Sequence, residues 1–222
     1  MKLFKLTAAT LALATTLSLG ALTGIDPTGF TSASQAQAAM NPQSDLRLTL
    51  NQLLSEHATL AASATGAALG GRMKEFEAAA AALDGNSVDL SAAIGSVYGA
   101  GAGEAFLPLW RKHIGFFVDY TLATAKKSKK GKEKAVNDLL QYATDFGAFL
   151  NSASPALPKE AVAELVKMHI LSLKDVVDAQ AKKDQKLAYT KIREAARHMQ
   201  MIADPLADTI IAQFPDKFPM TK

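Results

Sequence analysis

Residues 109–120 read Leu109-Trp110-Arg111-Lys112-His113-Ile114-Gly115-Phe116-Phe117-Val118-Asp119-Tyr120. Around His113 the apolar residues Leu109, Trp110, Phe116, Phe117 and Tyr120 stand at −4, −3, +3, +4 and +7. That spacing puts them on one face of a helix, with the imidazole among them. The pattern recurs 56 residues earlier, where His57 has Leu53, Leu54, Leu60, Ala61 and Ala64 at the same offsets. It recurs 56 residues later, where His169 has Leu165, Val166, Leu173 and Val176 at four of them. Further along each unit the columns Leu83, Leu139 and Ala195, then Leu90, Phe146 and Ile202, then Ile94, Leu150 and Leu206 keep the register. A fixed period of this length signals repeated supersecondary units. Three units are expected at about 47–102, 103–158 and 159–214.

Each unit reads as a helical hairpin. In the first, Ser44 is placed to cap a helix with Asp45 in its first turn, and Gly70-Gly71 breaks it. A return helix follows from about Lys74 to Tyr98, and Gly99 to Gly103 reads as a linker. The second unit has a helix from about Ala105 to Thr124, a turn from Lys126 to Gly131, and a return helix carrying Val136, Leu139, Leu140, Ala143, Phe146 and Leu150. A linker over Asn151 to Pro158 leads to helices near 159–181 and 185–213, the last expected to kink or restart at Pro205. The fold expected is all-α: an antiparallel six-helix bundle made of three hairpins sharing one core.

Composition narrows the chemistry. The 222 residues contain no cysteine, which excludes disulfides, thiolate metal sites and thiol catalysis. With 24 Lys+Arg against 21 Asp+Glu, the net charge of +3 is too balanced for a nucleic-acid arm. Residues 1–38 read as a secretory signal, with Lys2 and Lys5 ahead of an apolar run from Leu6 to Leu22 and Ala36-Gln37-Ala38 as a small-x-small cleavage site. An uncleaved anchor is the alternative for this run. Cleavage near Ala38 leaves 184 residues, residues 39–222, as a single helical domain outside the cytoplasm, secreted or in the cell envelope. Losing Lys2, Lys5 and Asp26 changes the net charge from +3 to +2.

The inward histidines need partners for their ring nitrogens. Counted from a turn near Lys183, His169 and His198 fall at nearly the same height on adjacent helices, with Met168, Met199 and Met201 close by. The positions equivalent to His198 are Asn86 and Tyr142, and those equivalent to Met201 are Asp89 and Asp145. One reading makes each histidine a structural core residue bonded to these groups. The other makes a transition-metal site from His169, His198, Met199, Met201, His57 and His113. Imidazole with thioether favours copper. Haem with His or Met ligands is a further possibility, without a Cys-x-x-Cys-His attachment. No His-Glu-x-x-His, Gly-x-Ser-x-Gly or nucleotide-binding motif occurs. Glu56 beside His57 and Asp119 on the His113 helix are general-base candidates, but no nucleophile stands out. No enzyme is expected.

The three turns are basic. Arg72 and Lys74 flank the first, Lys182, Lys183 and Lys186 the third, and Lys126, Lys127, Lys129, Lys130, Lys132 and Lys134 the second. They read either as solvated tips or as a pole contacting anionic wall polymer or lipid headgroups. Without interleaved aromatic residues they do not suggest nucleic acid.

Three stretches, Leu50-Asn51-Gln52-Leu53-Leu54-Ser55-Glu56-His57, Trp110-Arg111-Lys112-His113-Ile114-Gly115-Phe116-Phe117 and Phe214-Pro215-Asp216-Lys217-Phe218, resemble exported helical-repeat proteins of Gram-positive spore-formers often labelled copper-amine-oxidase-like. The resemblance implies a secreted helical envelope protein and leans towards copper. It does not extend to amine oxidation. That chemistry uses a quinone made from Tyr in an Asn-Tyr-Asp/Glu context, and this chain has no Asn-Tyr pair and no stalk domain.

Overall fold

A computed structural model describes residues 41–219; the expected signal segment lies outside the described residues. Six α-helices follow in order: α1 Pro42–Leu69, α2 Met73–Tyr98, α3 Ala100–Ala125, α4 Lys129–Ala153, α5 Lys159–Ala181 and α6 Gln185–Gln213. No strand occurs among the described residues. The molecule is a helix bundle. Each helix packs on its neighbours in sequence, and α6 packs on α1 to close the ring. The helices α1, α3 and α5 also pack on one another, so they form an inner triangle with α2, α4 and α6 outside. A single cluster fills the centre, with Leu50, Leu139, Ile170, Val176, Met199 and Ile210 among its fully enclosed members.

The 56-residue spacing reappears in the hydrogen bonds of the turns. Gly71, Lys127 and Lys183 have φ of 70°, 54° and 59°. The amides that follow them bond back to the carbonyls of Ala67, Ala123 and Ala179 at 2.9, 2.8 and 3.1 Å. This is the same helix-ending motif three times, with its left-handed residue one position after the cap. Two of the three are lysines, which carry a steric penalty there that Gly71 avoids. The turns lie together at one end. Gln180 near the end of α5 donates to Ala62 O, and Thr65 near the end of α1 donates to Gln180. Tyr120 near the end of α3 donates to Asp178 of α5.

Close crossings hold the outer helices on their neighbours. A Cβ on Gly103 of α3 would come within 2.7 Å of Ser91 O in α2, and one on Gly147 of α4 within 2.4 Å of Lys159 O in α5. Ser91 and Gly147 are one period apart, as are Gly103 and Lys159. The glycine therefore sits on opposite partners of equivalent crossings. At the other end, Lys217 Nζ donates to Val97 O at 2.6 Å, neutralising the carbonyl end of α2.

Three local expectations change. Asn41 rather than Ser44 caps α1, accepting from Gln43 N, because Pro42 already occupies the first helical turn. The expected Gly99–Gly103 linker shrinks to Gly99 alone, whose φ of 95° turns the chain directly into α3. Pro205 does not restart the last helix, because α6 is continuous through it from Gln185 to Gln213.

Candidate functional site

The inner helices α1, α3 and α5 each turn one histidine towards the bundle axis. His57, His113 and His169 are 1 %, 2 % and 4 % exposed. The Nε2 atoms of His57 and His113 lie 3.2 Å apart, one donating and the other accepting. The His57 and His169 ring centroids are 5.8 Å apart. Trp110 lies against the first pair, 4.8 Å from His57 and 4.6 Å from His113, and Tyr142 lies 4.9 Å from His113.

Four ring nitrogens make no hydrogen bond of good geometry: Nδ1 of His57, Nδ1 of His113, which has only the Trp110 carbonyl of its own helix nearby, and both nitrogens of His169. Buried polar atoms ordinarily have partners, so such a concentration in one place demands a cause. A cavity of about 40 Å³ adjoins it, lined by Trp110, His113, Tyr142, His169 and Met199 among others. Burial drives all three imidazoles towards the neutral form, and their mutual repulsion when charged adds to it. His57 and His169 are held well below the ordinary histidine range. His113 is lowered to about 3 by burial and then by His169, with the Trp110 carbonyl opposing them. Neutral imidazole is the form that binds metals.

The return helices supply something other than the partners the sequence suggested. Asn86 Nδ2 donates to Leu53 O at 2.9 Å, and His198 Nε2 donates to Leu165 O at 3.1 Å. These are equivalent bonds one helical turn before His57 and before His169. They tie each return helix to an inner helix without touching the inward imidazole. Asp89 and Asp145 are exposed. Tyr142, 56 residues on from Asn86, lies tilted against the His113 ring and leaves its hydroxyl unpartnered. His198 is thus half-buried and occupied with backbone. Met199 is buried beside His169, whereas Met201 is 53 % exposed and points away from the cluster. Of the six residues named from the sequence, the structure gathers His57, His113, His169 and Met199.

As the side chains stand, no group of three or more His, Asp or Glu among the described residues is arranged to hold a metal ion. Holding one would require the His169 ring to close on the other two.

The basic turn is less free than its sequence. Lys132 Nζ and Lys174 Nζ both bond Asp178 at 2.8 Å, joined by the Tyr120 hydroxyl at 2.9 Å. Burial alone would raise the Asp178 pKa, and these three donors outweigh it and hold it low. Lys134 pairs with Asp138. Lys126, Lys127, Lys129 and Lys130 are exposed, and no ion pair engages them among the described residues. Among the described residues, no helix is long and apolar enough to cross a membrane.

No protein-family model, curated protein or solved structure matches this chain.

Proposed function

We propose that the protein is an extracytoplasmic, non-catalytic binding protein for a transition metal, copper foremost, held by His57, His113 and His169. The observation that carries this reading is the 3.2 Å approach of two imidazole Nε2 atoms with a third imidazole alongside, all buried and short of partners. Two nitrogens on a tetrahedral ion at about 2.0–2.1 Å stand about 3.3 Å apart. Copper outranks the other divalent ions for nitrogen donors, and a thioether from Met199 would add preference for Cu(I). The small cavity beside His169 offers room for its ring to swing towards the pair. The resemblance of the His57 and His113 stretches to copper-labelled exported proteins points the same way.

The test is loading. The purified chain is stripped with chelator, loaded with Cu(II), Cu(I) or Zn(II), desalted and analysed for metal. The reading expects about one equivalent retained and a raised Tm, both lost when all three histidines are replaced by leucine. Less than about a tenth of an equivalent with no thermal shift would overturn it.

A second reading rests on Lys129 and Lys130. They stand in the first turn of α4, which holds no acidic residue, so they oppose the helix dipole. Together with Lys126 and Lys127 they form a basic tip suited to anionic wall polymer or lipid headgroups. Retention on either should vanish when these four become serine and weaken at about 1 M salt. Retention that survives both would remove this reading.

A further inference from the structure

The outer face of α6 carries positive charge that its neighbours do not answer. Lys186, Arg193 and Arg197 are exposed and stand seven and four residues apart, so they share one face of the helix. The same line continues into Asp204 and Asp208, and there α1 does answer it. Arg47 pairs with both carboxylates, and Asn51 donates to Asp204 at 2.8 Å. Counted on from those contacts along the antiparallel pair, Arg197 and Arg193 come level with Ala58 and Ala62 of α1. The polar side chains that α1 exposes at that height are Thr59 and Ser63, which carry no charge. Glu56 instead accepts from Asn86 of α2 at 2.9 Å. On α6 itself Glu194 is held by Lys191 at 2.8 Å, and Asp184 caps the helix by accepting from Leu187 N at 3.0 Å. No ion pair among the described residues engages Lys186, Arg193 or Arg197. Lys182 and Lys183, exposed in the turn before α6, bring this ridge down to the basic end of the bundle.

A groove of about 410 Å³ runs beside the lower half of the ridge, between α1, α5 and α6. Its lining includes Thr59, Ser63, Lys183, Gln185 and Tyr189. The Thr59 and Ser63 hydroxyls donate to Ser55 O and Thr59 O of their own helix, so each offers its oxygen as an acceptor. Tyr189 is 67 % exposed. Cations on a ridge, with hydroxyl and amide groups at its foot, match a chain that alternates phosphates with polyol units.

We infer that the α6 ridge and its groove bind a linear polyol-phosphate polymer, a thread of backbone phosphodiesters. The inference rests on the basic-tip reading for the sign of the partner's charge, and it adds a second contact surface and the choice of a polymer over a bilayer. From Lys183 to Arg197 is 197 − 183 = 14 residues, about 21 Å along a helix. That is more than twice the Debye length of about 8 Å at physiological salt. A flat bilayer held against the tip leaves Arg197 outside its field. A flexible chain rising along the groove meets Lys183, Lys186, Arg193 and Arg197 in turn. Each guanidinium fork suits the two free oxygens of a phosphodiester.

The test uses the chelator-treated full chain, so that metal plays no part. Binding to poly(glycerol phosphate), to phosphatidylglycerol vesicles and to a single-stranded DNA oligonucleotide is measured against salt. The parent is compared with Arg193→Gln/Arg197→Gln and with the four-serine variant of the second turn. Both arginines are exposed, so the double variant should keep its Tm within about 2 °C. It should bind the polymer about tenfold more weakly, with the slope of log Kd on log salt reduced by about 1–2. Its retention on vesicles should be unchanged. Polymer binding equal to the parent's, an equal loss on vesicles, an oligonucleotide bound more tightly than the polymer, or no polymer binding by the parent would each overturn the inference. The two readings separate. Retention lost in the four-serine variant alone leaves the tip reading standing without the ridge, and polymer binding lost in the double variant alone leaves the ridge without the tip.

Discussion

Replacing His169 by leucine should make the metal-free protein more stable, which is unusual for a buried residue at the centre of a bundle. The ring is almost wholly enclosed, and neither of its nitrogens has a partner. Each unsatisfied buried polar group costs roughly 1–3 kcal/mol. Leucine has a similar volume and meets Val166, Ile170 and Leu173 on its own helix, all of them buried. Allowing for imperfect repacking, the expected gain is about 2 kcal/mol. For a domain of this size that is a rise in Tm of about 4–8 °C. Denaturant unfolding under chelator should show a higher midpoint with an unchanged slope. His57→Leu and His113→Leu supply the contrast, since each breaks the Nε2–Nε2 bond and strands its partner. Neither should stabilise as His169→Leu does. A loss of more than about 1 kcal/mol in His169→Leu would refute the reasoning, because it would mean the ring nitrogens are satisfied.

Other consequences are open to measurement. His113 has its pKa lowered to about 3 in the folded state against about 6.5 unfolded, so the unfolded chain binds the extra proton and stability falls as pH drops below about 6.5. At pH 5 this single residue removes about 2 kcal/mol relative to neutral pH, and His57 and His169 act in the same direction. Unfolding midpoints at pH 7.5 and 5.0 that coincide would contradict it. Lys127→Gly and Lys183→Gly relieve a positive φ and should each add about 1 kcal/mol, whereas Gly71→Ala should lose at least that much in the same thermal melts. Gly147→Ala drives a methyl into the Lys159 carbonyl and should cost about 2 kcal/mol or more by chemical denaturation.

Much of this was legible before any coordinates, for identifiable reasons. The offsets around His57, His113 and His169 report which helix face is buried, because side-chain direction follows from helical geometry alone. The helix ends at Leu69, Ala125 and Ala181 were likewise placed by Gly70-Gly71 and the lysine-rich turns. The meeting of the imidazoles was not determined by the sequence. Matching heights about a turn pairs His169 with His198 inside one helix pair, but it says nothing about contacts between pairs. Those contacts depend on which helices lie inside, and here α1, α3 and α5 do. The same limit hid the roles of Asn86 and His198, whose bonds go to backbone carbonyls that carry no residue identity. Tyr142 stands in the sequence as a hydrogen-bond partner for His113, but its ring rather than its hydroxyl meets the imidazole, and Trp110, on the apolar face around His113, reaches across to His57 as well.

The most direct measurement is X-ray absorption at the copper edge of the copper-loaded chain, beside the variant lacking the three inward imidazoles. The proposal predicts a shell of three imidazole nitrogens at about 2.0 Å that disappears in the variant. An oxygen-dominated shell, or a nitrogen shell unaltered by replacing His57, His113 and His169, would contradict it.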